Sequence, residues 1–102
     1  MSTLIKDMTP DDKPREKAIK YGFASLSDAD VLSILLRTGS KNKSVKDVSS
    51  DILKSLGGIS NLKNIRVNKL TAIKGVGSVK AITLMAAVEL AKRIDNEENG
   101  SI

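Results

Sequence analysis

The 102-residue sequence contains no cysteine, no histidine and no tryptophan, and two of these absences exclude classes of chemistry. Without cysteine the chain can form neither disulfides nor thiolate metal sites. Without histidine it cannot assemble a Ser-His-Asp triad, a histidine acid–base pair or most zinc sites. We therefore expect no catalytic residue, no metal site and no cofactor in this chain.

Long apolar runs and aromatic residues are also scarce. No apolar run approaches the roughly 20 residues that span a bilayer, and residues 1–12 lack the apolar stretch of a secretory signal. We expect a cytoplasmic protein that does not bind membranes. Tyr21 and Phe23 are the only aromatic residues, so the core has to be built from Leu, Ile, Val and Ala.

Positive charge is concentrated in the second half of the chain. Residues 57–93 carry a net charge of +6, whereas residues 94–102 carry −3 and residues 1–56 carry +2. A basic segment of this kind attracts polyanions such as nucleic acids. The alternative is a charged surface that only maintains solubility, and composition alone does not distinguish the two.

The chain from residue 13 to residue 95 has the pattern of a helical domain. Pro14 suits the first turn of a short helix that ends at Gly22. Ser27 and Ser44 each stand three residues before an aspartate, which is typical of a helix start. Glycines are the predicted stops of the two helices that follow: Gly39 for the first, and Gly57 with Gly58 for the second.

The last helix is predicted to be the longest, from about Ser78 to Arg93. It is apolar nearly all round, which is typical of a central helix buried by its neighbours. We expect residues 1–12 to be flexible and residues 96–102 to form a disordered tail. No stretch alternates between apolar and polar residues as a strand does. The predicted fold is all-α, a compact bundle of five or six short helices.

Two glycines flank Val76 in the segment LTAIKGVGSVKA, between two predicted helices. Gly75 suits a position that needs a positive φ, and Gly77 leaves room at the mouth of the next helix. We expect the amides of residues 76–79 to point outward and to attract an anion, of which a DNA phosphate is the natural example. The predicted DNA-binding residues are Lys74, Gly75, Val76, Gly77, Ser78 and Lys80.

This segment resembles the helix-hairpin-helix motif of DNA repair and recombination proteins, which holds the sugar-phosphate backbone without sequence preference. A tight turn between two packed helices that binds no ligand is the alternative. A degenerate second copy is predicted upstream, where the loop SKNK joins two helices. We expect that copy to have mainly a structural role. Its help in DNA binding would be charge alone, from a secondary basic loop of Arg37, Lys41, Lys43 and Lys46.

Two longer blocks, residues 13–53 and 70–94, resemble the N-terminal region of the bacterial RadC family. The resemblance rests on the PREK, LSDAD, ILLRTG and IKGVGSVKA segments, which occur in the family's order and spacing. RadC proteins continue into a JAB/MPN-type domain with a zinc-binding His-x-His…Asp motif, which this sequence lacks. The resemblance implies a truncated chain, the isolated helical domain of a DNA repair-associated protein, in which the tail of residues 96–102 leads to an absent C-terminal domain.

Two functions are compatible with these patterns. The first is an accessory domain that binds the DNA backbone without sequence preference and brings a C-terminal effector to DNA. The alternative is a helical interaction module that docks to the JAB/MPN domain or to another protein. A DNA glycosylase-lyase that uses Lys80 as its nucleophile is disfavoured, because Lys80 lies one residue, about 100° of helix rotation, from that family's lysine. The catalytic aspartate of that family is also missing.

Overall fold

The computed structural model describes residues 13–98, and helices joined by short turns make up this range. No strand occurs within it, since Ser40 and Lys43 pair only as an isolated bridge. The predicted all-α fold is therefore confirmed, while the predictions for residues 1–12 and 99–102 lie outside the described residues. The α-helices are α1 (Pro14–Tyr21), α2 (Asp28–Leu36), α3 (Val45–Leu56), α4 (Val67–Thr71) and α5 (Ser78–Glu98), with 3₁₀ helices at Phe23–Ser25 and Ile59–Asn64.

Serine caps start α2 and α3 at the predicted residues. The Asp30 amide donates to Ser27 Oγ, and the Ser27 amide donates to the Asp30 carboxylate, each at 3.1 Å. The Asp47 amide donates to Ser44 Oγ, also at 3.1 Å. These side chains accept from amides that the first helical turn leaves without a partner, so both helix starts are stabilised locally.

The end of α2 differs from the prediction. The chain turns at Arg37, with φ 71° and ψ −45°, and the Thr38 amide donates to the Leu36 carbonyl at 2.8 Å. This is a γ-turn of the strained, positive-φ type. The predicted stop at Gly39 is therefore wrong. Gly39 is needed for a different reason, because a Cβ there would lie 2.1 Å from the carbonyl oxygen of Lys43.

One aliphatic core joins α2 and α3 to the C-terminal part of the chain. Leu32 of α2 and Ile52 of α3 are almost completely buried in it. The hydroxyl groups of Ser33 and Ser49 meet at 3.1 Å in the same interface. The helices α2 and α3 therefore bury apolar side chains of α4 and α5. This is what the structural role predicted for the upstream copy requires. The other core members are Leu36, Val48, Leu62, Leu70, Val76, Ala81 and Leu84.

The Asp30 carboxylate links the first three helices. It is buried, and its oxygens lie 3.5 Å from the Lys17 ammonium and 2.8 Å from the Lys46 ammonium. Burial raises the pKa of Asp30, but hydrogen bonds from Lys46 and Ser27 outweigh this effect and lower the pKa to about 2. At neutral pH the carboxylate is therefore a charged part of the scaffold.

The helix α5 is not the buried central helix that its apolar composition predicted. It packs mainly against α2 and α4, which cover only one side of it. Ala81 and Leu84 face the core and are fully buried. The physical reason for the difference is that the described chain has too few helices to surround α5. Four of its large apolar side chains are more than half exposed: Val79, Ile82, Leu90 and Ile94.

The C-terminal end of α5 also lies beyond its predicted position. The helix continues past Arg93 to Glu98, so residues 96–98 are helical rather than part of a disordered tail. Extending an existing helix is favourable for residues of good helix propensity such as glutamate, even without tertiary contacts. Within residues 13–98 no helix is both long and apolar enough to cross a bilayer.

Candidate nucleic-acid interface

Residues 72–77 connect α4 to α5 and are called the glycine turn. Gly75 has φ 92°, so the predicted positive φ is confirmed. The Val76 side chain is buried in the core, as expected. Its amide donates to the Ile73 carbonyl at 3.0 Å, so the prediction that this amide is free is wrong. The Val76 amide is used to close the turn. Val76 therefore contributes to the candidate site only through its buried side chain, which anchors the turn in the core.

The start of α5 presents backbone donors without acceptors. Its first helical hydrogen bond runs from the Ala81 amide to the Gly77 carbonyl at 3.0 Å, which makes Gly77 the N-cap residue. In contrast to the serines that cap α2 and α3, glycine has no side chain that could accept from these amides. In the described part of the chain, no acceptor is hydrogen-bonded to the amides of Gly77, Ser78, Val79 and Lys80.

Gly75 and Gly77 differ in how strongly the fold requires a glycine. A Cβ on Gly75 would approach Val48 Cγ2 to 3.3 Å, in addition to the cost of its positive φ. A Cβ on Gly77 would have no described atom within 4 Å, and the φ of Gly77 does not lie in the left-handed region. Neither packing nor backbone conformation therefore demands glycine at position 77. The space beside it is open to a group from outside the chain.

Residues 37–44, which join α2 to α3 and are called the basic loop, lie against the glycine turn. A Cβ on Gly75 would lie 3.4 Å from Ser40 Oγ, and Lys80 Nζ donates a hydrogen bond to Thr38 Oγ1 at 3.3 Å. The structure therefore brings together the two segments predicted separately from the sequence. Thr38 and Ser40 were not predicted, because contacts between distant segments leave no local signal in the sequence.

The four basic residues predicted around the basic loop fall into two groups. Lys43 forms an ion pair with Asp51, and Lys46 forms one with the buried Asp30. Arg37 and Lys41 are exposed, and neither forms an ion pair within residues 13–98. The positive charge added near the glycine turn therefore comes mainly from Arg37 and Lys41, because carboxylates offset the other two.

Lys74 and Lys80 lie on either side of Gly77 in the sequence. Lys74 is exposed, while Lys80 is partly buried and oriented by its hydrogen bond to Thr38. Neither lysine pairs with a carboxylate of the described residues. An ammonium group has three N–H donors, so Lys80 keeps donors for a ligand even while it is bonded to Thr38.

A family model described as UPF0758 N-terminal matches residues 5–82, which include α1 to α4, the glycine turn and the first residues of α5. The chain belongs to the UPF0758 family. This is the RadC-like family, so the resemblance stated from the sequence is confirmed at the level of the family. The match includes both segments that form the candidate interface.

Relatives in the UPF0758 family are longer than this chain. A UPF0758 protein of Bacillus pumilus (strain SAFR-032) is 43% identical over 94 residues, which cover 92% of this chain and 42% of the relative. UPF0758 proteins of Clostridium botulinum strains Hall and 657 are 38% identical over 97 residues, covering 95% of this chain and 42% of each relative. No solved structure matches the chain.

Proposed function

We propose that this chain binds the sugar-phosphate backbone of DNA through the glycine turn and the first turn of α5, as a helix-hairpin-helix motif does. The main support is the uncapped start of α5, where the amides of Gly77, Ser78 and Val79 have no acceptor within the described residues. Amides at the positive end of a helix form a ready anion site. The open space beside Gly77 lets a phosphate oxygen approach them.

The side chains around these amides suit the same ligand. The Ser78 hydroxyl and the ammonium groups of Lys74 and Lys80 add donors and charge, and Arg37 and Lys41 extend the positive surface. All of these groups contact phosphates rather than base edges, so binding has no sequence preference. In a longer UPF0758 protein, the domain would bring the remaining sequence to DNA. We assign no catalytic step to this chain.

Titration of the isotope-labelled chain with a short DNA duplex, followed by NMR at low and moderate salt, tests this function. The amide signals of residues 74–80 should shift most. The logarithm of the affinity should fall with the logarithm of salt concentration with a slope of about −2 to −4, for two to four neutralised phosphates. If the signals of residues 74–80 do not move at millimolar DNA, the two glycines form only a turn.

Charge reversal provides a matched comparison. Replacing Lys74 and Lys80 by Glu should abolish binding, whereas replacing Lys63 and Lys92 by Glu changes the net charge equally at positions outside the interface. The second variant should lose only the general attraction that any basic surface provides. Equal losses in the two variants would show that net charge, rather than the α5 start, determines binding.

A second function, docking to the JAB/MPN domain implied by the RadC resemblance, is favoured by the exposed side of α5. Val79, Ile82, Leu90 and Ile94 are more than half exposed, and their spacings of 3, 8 and 4 residues return to one side of a helix. Contiguous exposed apolar surface of this kind marks interaction sites. The relatives, of which this chain covers 42%, contain further sequence that could supply the partner.

The two functions depend on different residues and can be separated. Replacing Ile82 and Leu90 by Gln should prevent co-purification with the remaining region of a UPF0758 relative and should leave DNA binding intact, because it leaves the net charge unchanged. Replacing Lys74 and Lys80 by Glu should have the opposite effects. Loss of both activities in both variants would contradict this separation, provided that circular dichroism shows each variant to be folded.

A further inference from the structure

A lysine-lined groove lies where α3 meets α4 and the glycine turn. It has a volume of about 620 Å³, and part of its lining is apolar, from Leu56, Ala72 and Ile73. One carboxylate, Asp51, also lines it. The groove is therefore strongly cationic, with ammonium groups contributed from the basic loop, α3, α4 and the glycine turn: Lys43, Lys54, Lys69 and Lys74.

The carboxylate in the groove does not balance this charge. Asp51 pairs with Lys43, and the hydrogen bond from Lys43 is the main reason that the pKa of Asp51 is lowered. The other three lysines are exposed and form no ion pair with residues 13–98. Because like charges repel, an anion bound in the groove would relieve their mutual repulsion. The charge of Lys54 also lowers the pKa of Asp51, but a single carboxylate cannot balance the four lysines of the groove, which keeps a net positive charge.

Lys74 connects the groove with the start of α5. It lines the groove and also belongs to the glycine turn, three residues before Gly77, whose amide has no acceptor within the described residues. Lys54 and Lys69 were missed by sequence reasoning, because they lie on different helices and line one groove only in the folded chain. The cationic surface therefore continues from the start of α5 across Lys74 into the groove.

We propose that this groove is a second phosphate-binding site, which holds the DNA backbone next to the phosphate bound at the start of α5. The inference rests on the proposed function, since Lys74 serves both sites. Lysine ammonium groups bind phosphates as point charges and need no fixed geometry. The apolar lining fits the deoxyribose that separates successive phosphates. A continuous backbone, unlike a free anion, occupies both sites at once.

Neutralising two lysines of the groove tests the inference. The variant K54Q/K69Q removes two charges from the groove, and K63Q/K92Q removes two charges outside it; glutamine and lysine have similar helix propensities, so both should fold. Fluorescence anisotropy with a labelled short duplex measures the affinity across a salt series. We expect the salt slope of K54Q/K69Q to be shallower by about 2. The slope of K63Q/K92Q should match that of the wild type.

Gly77→Asp, which blocks the α5 amides, separates this inference from the proposed function. If K54Q/K69Q behaves like K63Q/K92Q while Gly77→Asp loses binding, the groove inference is wrong and the proposed function stands. If K54Q/K69Q loses binding while Gly77→Asp does not, the groove binds DNA and the α5 site does not. If the wild-type chain does not bind the duplex, both are wrong.

Two competitors test whether the ligand is a DNA backbone. At equal ionic strength, inorganic phosphate should displace the duplex no better than chloride does. If phosphate displaces the duplex more strongly than chloride does, and K54Q/K69Q abolishes this difference, the groove is a site for free phosphate. That result would overturn the assignment. Polyglutamate should compete more weakly than unlabelled duplex of the same total charge. Equal competition would identify an acidic-peptide site and would also overturn it.

Discussion

The ammonium group of Lys80, in the first turn of α5, donates a hydrogen bond to the hydroxyl group of Thr38, just past the end of α2. The two atoms are 3.3 Å apart although the residues are separated by 42 positions in the chain. Gly75 and Ser40 bring the same two segments close together, since a Cβ on Gly75 would lie 3.4 Å from Ser40 Oγ. These contacts hold the glycine turn against the basic loop and orient one of the two lysines proposed to bind phosphate.

Thr38→Val should weaken DNA binding without affecting folding. The substitution removes the acceptor of the Lys80 ammonium but keeps the β-branched shape of the side chain. One exposed hydrogen bond contributes about 0.5–1 kcal/mol, so we expect a loss of affinity of about threefold. Thr83→Val is the control, because within residues 13–98 the Thr83 hydroxyl bonds only to the Val79 carbonyl. An equal loss in both variants, measured by anisotropy, would mean that the orientation of Lys80 is unimportant.

Gly77→Asp should stabilise the protein and abolish DNA binding. An aspartate at this N-cap position can accept from the free amides of α5, which should add about 0.5–1 kcal/mol to the free energy of unfolding. The same carboxylate would occupy and repel the proposed phosphate site. Thermal unfolding and anisotropy measure the two effects. A stabilised variant that binds DNA as tightly as the wild type would show that these amides do not contact DNA.

Gly39→Ala should be strongly destabilising. A Cβ at this position would lie 2.1 Å from the Lys43 carbonyl oxygen, so the backbone of the basic loop would have to move. Forced overpacking typically costs about 1–3 kcal/mol, and we expect about 3 kcal/mol here because the obstacle is backbone. Gly77→Ala is the control, since its Cβ would meet no described atom. Urea unfolding curves that show equal stability for both variants would contradict this packing.

Arg37→Gly should make the fold more stable and the binding of DNA weaker. Glycine tolerates the positive φ of the γ-turn, so the free energy of unfolding should rise by about 1 kcal/mol. If Arg37 contacts a phosphate in the proposed complex, the loss of its charge should make the salt slope of DNA binding shallower by about 1. Arg37→Lys keeps both the charge and the strain, and should resemble the wild type in both measurements. Unchanged binding of Arg37→Gly would exclude Arg37 from the interface.

Acid should unfold the protein partly through Asp30. Its pKa is lowered from the ordinary value of 3.8 to about 2, so the charged form stabilises the fold above the unfolded-state pKa. This contribution, about 2 kcal/mol, is lost as the pH falls from about 5 to 2. Asp30→Asn should be less stable at pH 7, and the difference from the wild type should shrink with falling pH in urea unfolding. A constant difference would exclude this role.

Several local features were predictable because neighbouring residues determine them. A serine three residues before an aspartate is enough to start a helix, so Ser27 and Ser44 could be identified as caps. Gly75 could be assigned a positive φ from its place at the end of a helical pattern. The family resemblance also followed from contiguous segments, and the match over residues 5–82 confirms it.

Other features depended on which segments meet in space. The role of Gly39 follows from the nearby backbone of Lys43, and the pairing of Lys46 follows from the position of Asp30 in α2. The exposure of Val79 could not be predicted from the apolar pattern of α5, because such a pattern does not reveal how many neighbouring helices are available to cover it.

The sequence by itself determined the starts of α2, α3 and α5 and the serine caps of α2 and α3, because hydrogen bonds between near neighbours define all of these. The tertiary structure alone decided which lysines form ion pairs with carboxylates. It also decided that the basic loop lies against the glycine turn. Lys43 and Lys54 have the same side chain, yet Lys43 pairs with Asp51 while Lys54 forms no ion pair within residues 13–98. Charge compensation depends on distances across the fold, which no local pattern encodes.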